Sequence, residues 1–413
     1  MIAELISIGT ELTAGLAVDT NTAWLASRLA ACGVETRRHV TVTDERAAIA
    51  EEVARATSAA DIVIVTGGLG PTEDDLTRQA VADALGVDLE RHPAVLAQVR
   101  AFFDRRALNW MESNARQAEF PAGTTPIQND WGTAPGFRAR FGRAVLFCVP
   151  GVPREMREMF EHAILPELRD LGIAGATAIR TLRCFGAGEA RMGERIADLM
   201  CPGRDTTVGI TADEGIISVR IIARAAAPEE AAALADRDAV EISARLGNLV
   251  FGRENDTLAS AVGALLRSRG WRLATAESCT GGLLAKLFTD VPGSSDHFLC
   301  SAVTYSDQAK TDLLGVDPRL VAEHGAVSEQ VGRAMAAACL ARAGADAALA
   351  TTGIAGPGGG SAEKPVGLVY IGLATAAGCE VRQFQFGAHL SRASIRQRTC
   401  LTALNMLRTR LLG

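Results

Sequence analysis

The chain has 413 residues, 48% of them apolar and 22% charged, which excludes bulk disorder and leaves room for two or three domains. Forty-two basic against 48 acidic residues give a net charge of −6, so no nucleic acid is expected as a partner. Nine cysteines, an odd number without C-x-x-C spacing, make neither a disulfide framework nor a zinc site.

The opening MIAELISIG carries Glu4 and no basic stretch, so a signal peptide is not expected. The longest charge-free run, residues 347–362, is broken by five glycines and a proline. It is too short for the roughly 20 apolar residues that a bilayer span needs. The expectation is a cytoplasmic protein with no membrane partner.

In chain order, residues 2–8 read as a buried strand. Asp19 and Thr20 stand where they can cap a helix bearing Trp24, Leu25 and Leu29, and Gly33 is placed to end it. Residues 34–43 are the next strand, Asp44 can cap a helix through Ala56, and residues 61–66 are a β-branched run. Strand–helix–strand at this spacing predicts a parallel sheet covered by helices. A later strand, 144–149, ends in Pro150-Gly151 and leads into a helix.

Residues 171–251 differ. Strands at 181–185 and 216–223 and an Ala-rich helix at 228–246 carry no cluster of reactive side chains, and predict a small α+β spacer or dimerisation module. The polar stretch Gly252–Asp256 reads as a linker. The α/β rhythm then restarts: a helix over 257–268, strand 272–276, helix 281–288, strand 300–305, helix 329–343 and strands 345–351 and 366–375. The predicted fold class is α/β: a front α/β domain over 1–170, a small α+β domain over 171–251 and a second α/β domain over 252–413.

Residues 67–75, GGLGPTEDD, directly follow a strand. Gly67 and Gly68 let backbone approach a ligand, Thr72 can cap the next helix, and that helix start offers amides to a phosphate. Asp74 and Asp75 could then hold a divalent cation bridging the phosphate. The plain alternative is that these carboxylates serve the helix itself. Residues 8–21 add Thr10, Glu11 and Asn21 beyond the first strand, and NDWGTAPGF (129–137) and VPGVPREM (149–156) follow. These four motifs in order resemble the molybdopterin-binding, MogA/MoaB-like domain that opens the CinA (competence/damage-inducible) family. The resemblance implies a nucleotide or pterin pocket and, for some members, a metal-dependent ADP-ribose pyrophosphatase.

Residues 277–282, ESCTGG, sit between a strand and an apolar helix. A serine at such an elbow is exposed to substrate, and the amides that follow can stabilise an oxyanion or a phosphate. His297, His324 and His389 stand in no triad motif, and a lysine is the natural alternative base, able to activate Ser278 when desolvated, although a lone lysine is by default a surface charge. Lys310, in VTYSDQAK, is one of only three lysines, with Lys286 and Lys364. The loop TTGIAGPGGGSAEKPVG (351–367) is suited to enclosing a small anion, and TDVPGSS (289–295) offers further hydroxyls.

Together with HGAVSE (324–329), these strings are similar to the carboxy-terminal CinA domain, the nicotinamide-nucleotide amidase domain. The resemblance implies hydrolysis of nicotinamide mononucleotide to nicotinate mononucleotide and ammonia in pyridine-nucleotide recycling, with Ser278 as nucleophile, Lys310 as base and no cofactor. It places Thr280, Gly281, Ser295, Tyr305, Thr352, Gly353, Arg392 and Arg396 around the substrate. The family's Gly-Asp-Arg is replaced by Leu390-Ser391-Arg392, while Arg392 and Arg396 keep the spacing of its two arginines. Small nucleotides are the expected partners and a homodimer the expected assembly. Two other readings stay open: a non-catalytic nucleotide-binding scaffold, and a molybdopterin-binding protein.

Overall fold

Six stretches rich in Ile, Val and Phe build the first sheet: Ile2–Ile8 (β1), Glu35–Val42 (β2), Ile62–Thr66 (β3), Thr125–Ile127 (β4), Gly136–Phe141 (β5) and Ala144–Val149 (β6). This computed structural model describes residues 1–171 and 175–413. The strand order is β2-β1-β3-β6-β5-β4, with β2, β1, β3 and β6 parallel, β5 antiparallel to β6 and β4 antiparallel to β5. β3 and β6 are buried at every position, as strands covered on both faces must be.

On one face, Leu25 and Leu29 of Asn21–Ala31 (α1) pack with Leu5, Ile64 and Phe147. On the other, Ile49 and Val53 of Arg46–Ala59 (α2), Val81 of Thr77–Leu85 (α3) and Val99 and Phe102 of Pro93–Arg105 (α4) pack with Ile6, Val63 and Val65. Pro153–Met159 (α5) follows β6. Asp19 does cap α1: its carboxylate accepts from the amides of Asn21 and Thr22, both at 3.1 Å. Asp44 does not cap α2, which starts at Arg46 with Glu45 as its flanking residue. It accepts instead from the amide and hydroxyl of Thr10, at 2.7 and 2.8 Å, tying the loop after β1 to the loop after β2.

The middle sheet has the order β8-β9-β7-β10, from Ala176–Cys184 (β7), Thr206–Asp213 (β8), Ile216–Ala225 (β9) and Val250–Arg253 (β10). The short helix Glu189–Arg195 (α6) follows β7, and Pro228–Leu246 (α7) spans the residues read as helical from sequence. Two of these strands, β8 and β10, escaped the sequence reading. Gly252 and Arg253, read as linker, are the last residues of β10, which pairs antiparallel with β7. The start of the middle segment at 171 runs into 172–174, which lie outside the described residues.

The third sheet runs β12-β11-β13-β14-β15, from Leu273–Glu277 (β11), Phe298–Val303 (β12), Ala347–Gly353 (β13), Leu368–Thr375 (β14) and Gly378–Gln385 (β15). β11 is parallel to both its neighbours, and β14 and β15 are antiparallel additions. Leu258–Arg269 (α8) begins in a Thr257/Ser260 capping box. Leu283–Thr289 (α9), Asp307–Leu314 (α10), Glu329–Ala343 (α11) and Arg392–Leu412 (α12) complete the cover. The alternation of β11 splits the core: Leu273 faces Val262, Leu266 and Leu404 of α8 and α12, while Ala274 and Ala276 face Val331 and Met335 of α11.

By internal packing the described residues form two units, Met1–Ile179 with Ala223–Ala233 and Arg180–Ile222 with Leu234–Gly413. Among the described residues no helix is long and apolar enough to cross a membrane.

Candidate active site

In the second unit, β11 ends at Glu277 and the chain turns sharply through Ser278 into α9. The turn passes through Gly281 and Gly282, at φ +57° and +89°, a left-handed conformation that glycine adopts without a steric penalty. Ser278 is held at this elbow because its amide donates to Thr351 of β13 at 2.9 Å. β12 runs parallel beside β11 and delivers α10, whose first turn carries Lys310 inward. Lys310 is 1% exposed, and its Nζ lies 3.4 Å from Ser278 Oγ. The same nitrogen donates to the carbonyls of Thr304, Tyr305 and Ser306 at 3.2–3.5 Å, and Asp307 stands 3.5 Å away. A lysine buried this completely beside a serine is not a surface charge that happens to fall near; its position is set by three carbonyl acceptors.

The residues around this pair fall into connected and unconnected sets. Thr280 shares a 2.7 Å hydroxyl hydrogen bond with Thr351, and its carbonyl accepts from Arg396 at 2.6 and 3.2 Å. Arg392 donates to the Gly356 carbonyl at 2.7 Å and to the Tyr305 hydroxyl at 2.9 Å, so α12 holds the long glycine loop and Tyr305 together. Thr352 is buried and donates to the Ala326 carbonyl at 2.7 Å. Gly353, the end of β13, leaves no room for a side chain: a Cβ there would stand 2.6 Å from Val369. Ser295 is exposed on the turn after α9 and makes no side-chain hydrogen bond to any of these residues.

Sequence reasoning missed Glu277. It is fully buried, and its carboxylate accepts from the amides of Gly282 (2.9 Å), Leu284 (3.0 Å) and Ala285 (2.8 Å) and from the Ser301 hydroxyl at 3.2 Å. The start of α9 was expected to offer its amides to an anion. Glu277 takes them instead, and Gly281 and Leu283 donate to the carbonyls of Ser278 and Thr280. Among the described residues this leaves Cys279 and Thr280 as the amides of the elbow without an oxygen acceptor. The signal was the glutamate itself, one residue before the serine and at a helix start. Burial pushes the Cys279 thiol up to about 12, so it stays protonated beside Ser278.

In the first unit, the loop after β3 lines a cavity of about 360 Å³ at the carboxyl edge of the parallel strands. Gly67 and Gly68 are left-handed, and side chains there would strike the Ile8 carbonyl and the Thr77 hydroxyl at 2.4 and 2.3 Å. Glu11, Asp74 and Asp75 line the cavity as the sequence suggested. Asp44, Gln117 and Glu155, which it did not single out, line it too. Asp75 is turned into its own loop and accepts from the amides of Gly70 and Thr72 and from the Thr72 hydroxyl, at 2.7, 2.9 and 2.5 Å. Thr72 therefore does not cap a helix; α3 begins only at Thr77, with Leu76 before it.

Asp74 is exposed, and the nearby Thr72 hydroxyl and its own amide hold its carboxyl below the usual range. Asn21 is a buried pin that donates to Thr66 at 3.1 Å and to the Gly151 carbonyl at 2.7 Å; neither it nor Thr10 nor Thr72 lines the cavity. Beneath the loop, Arg78 is buried and donates to the carbonyls of Leu69 and Gly70 at 2.8 and 2.7 Å. Desolvation pulls it down to about 10, still a cation at neutral pH.

Three family models match the chain: "Probable molybdopterin binding domain" over residues 4–170, "Damage-inducible protein CinA KH domain" over 179–252 and "CinA C-terminal domain" over 255–411. A CinA-like protein of Geobacter sulfurreducens is 44% identical over 409 residues, covering 98% of each chain. The chain belongs to the CinA family. Another CinA-like protein, of Citrifermentans bemidjiense, is 43% identical over 99% of this chain and 97% of its own. The crystal structure of the competence/damage inducible protein CihA from Agrobacterium tumefaciens is 43% identical, with a TM-score of 0.37, and covers 38% of this chain and 94% of that one.

Family membership bears on two features. The expected Gly-Asp-Arg is Leu390-Ser391-Arg392, and Ser391 is the N-cap of α12, accepting from the Ser394 amide at 3.1 Å. Serine and aspartate cap helices equally well, so the substitution keeps the start of the helix that carries Arg392 and Arg396. The KH segment, 179–252, has no two glycines three residues apart, whereas a KH module clamps a nucleic-acid backbone with a G-x-x-G loop.

Proposed function

We propose that the carboxy-terminal α/β region is an amidase that hydrolyses the carboxamide of nicotinamide mononucleotide. The observation that carries this reading is the buried Ser278–Lys310 pair at 3.4 Å. In its neutral form the Lys310 amine keeps two N–H groups on the carbonyls around it and turns its lone pair to the Ser278 hydroxyl. Ser278 Oγ attacks the carboxamide carbon, and its proton passes to Lys310. The amides of Cys279 and Thr280 stabilise the negative oxygen of the tetrahedral intermediate. Lys310 returns the proton to the leaving nitrogen, the C–N bond breaks and ammonia departs, and water then cleaves the acyl-enzyme with Lys310 again taking a proton. Arg392 and Arg396 supply positive charge for the phosphate, on a helix start that Ser391 keeps ordered.

The decisive assay is ammonia release from nicotinamide mononucleotide by the full chain and by Ser278→Ala. Turnover that survives in Ser278→Ala removes this reading, and tight binding without turnover by the intact chain favours a nucleotide-binding scaffold.

The first-unit cavity supports a second activity, metal-dependent cleavage of the pyrophosphate of ADP-ribose. Among the described residues no group of three or more His, Cys, Asp or Glu side chains is placed to hold an ion. Asp74, beside an Asp75 that is spent on its own loop, fits instead a magnesium-like cation that arrives with substrate phosphates, since such ions commonly take one or two protein carboxylates. Activity then needs a divalent cation, and the ion binds measurably only with the nucleotide present.

A further inference from the structure

Within the second unit lies a cavity of about 540 Å³ that the proposed reaction does not use. It is lined by Phe185 of the loop after β7, by Glu189 at the start of α6, by the tip of the β8–β9 hairpin (Asp213 and Glu214), and by Phe386 and Arg398. Its volume falls in the range of small-molecule sites. Arg398 is the feature that asks for a ligand. Its Nε is buried, and among the described residues its guanidinium has neither a hydrogen bond nor an ion pair. Arg398 is half-buried: its Nε–H has lost water without gaining an acceptor, while the rest of its guanidinium lines the cavity within reach of a bound anion.

The cavity is separate from the Ser278 elbow even though one helix serves both. Arg396 of α12 turns to the Thr280 carbonyl, and Arg398, two residues on, projects from the other side of the helix, where Thr402 joins it in lining the cavity. The hairpin tip is also tied to α12, since the Ser394 hydroxyl donates to Glu214 at 3.5 Å.

We propose that this cavity binds a nucleoside monophosphate, with the phosphate on Arg398 and the base against Phe185 and Phe386. A planar guanidinium matches phosphate oxygens in a two-pronged contact, and half-buried phenyl rings are stacking surfaces for a base. Glu189, Asp213 and Glu214 at the rim accept hydrogen bonds from ribose hydroxyls and exocyclic amines. Their charge disfavours di- and triphosphates, which limits the ligand to one phosphate.

The test is photolabelling of the full chain with 8-azidoadenosine 5′-monophosphate and mapping of the labelled tryptic peptides. Label is expected in residues 184–191, 205–220 or 383–392, and excess AMP protects these peptides while inorganic phosphate at the same concentration does not. Arg398→Gln weakens this labelling about tenfold or more, the loss of one charge-assisted contact. Phe185→Ala weakens it as well, and serves if Arg398→Gln fails to fold. Ser278→Ala labels as the parent does, so the outcome is independent of the amidase reading. Label confined to residues 67–75 or 277–310, or label undiminished in both Arg398→Gln and Phe185→Ala, overturns the proposal.

Discussion

The two glycine-bearing loops, after β3 and after β11, solve the same problem with different outcomes. Each leaves the carboxyl end of a parallel strand, and each spends a carboxylate on its own amides: Asp75 on Gly70 and Thr72, Glu277 on Gly282, Leu284 and Ala285. In the second loop the next residue is a serine, and the neighbouring strand brings a buried lysine to 3.4 Å from it. In the first, Asp74 is exposed, and the described lining of the cavity includes no serine, cysteine or lysine. On the proposed reading the front loop receives a polar ligand, whereas the elbow carries covalent chemistry. The lesson is that a glycine loop is scaffolding, and what it does depends on what the adjacent strand carries.

The largest effect that would sharpen this contrast comes from Lys310. Lys310→Ala and Lys310→Arg should each lower kcat on nicotinamide mononucleotide by ~10²–10⁴-fold, because arginine keeps the charge but does not take part in proton transfer. The Ser278→Ala/Lys310→Ala double variant should be little worse than Ser278→Ala, since the two act as a unit. If Lys310→Arg keeps its kcat and raises KM, the lysine is an anchor and the elbow, too, is a binding loop.

Next comes Glu277. Glu277→Ala strands three amides around a cavity, and we expect a loss of about 2–5 kcal/mol in urea unfolding together with a fall in kcat. Glu277→Gln keeps one acceptor and should recover part of both. Unchanged kcat in a folded Glu277→Ala protein would show that the elbow does not need its carboxylate.

In the front loop, Asp75→Ala should cost about 1–2 kcal/mol of stability, the value of a lost cap. Asp74→Asn, at an exposed position, should stay within about 0.5 kcal/mol of the parent while weakening cation-dependent nucleotide binding. Reversed outcomes would make Asp75 the ligand and Asp74 the loop's support.

The smallest effect concerns pH. Cys279, pushed up to about 12 by burial, binds its proton more tightly in the folded chain than in the unfolded one. Its contribution to stability is complete below about 9 and is lost as pH rises from there towards 12, a window that equilibrium unfolding of Cys279→Ala against the parent would expose. Alkylation of native protein at pH 8 should spare Cys279 and reach the exposed Cys201 and Cys300.

Local signals determined much of this protein. The β-branched run read at 61–66, the strand at 144–149, the cap at Asp19 and the Ala-rich helix at 228–246 are all where periodicity and capping chemistry put them. The serine elbow was legible for the same reason, because strand, turn and helix are adjacent in the chain. The tertiary structure alone decided the partners. Hydrogen bonds that close over long chain separations leave no periodic trace, and so Asp44 on Thr10, Arg408 on the carbonyls of Asn248 and Val250, and the 32-residue step from Ser278 to Lys310 could not be read from spacing. It also decided which amides remain free at the elbow, since a helix start is an anion site only until a side chain such as Glu277 occupies it.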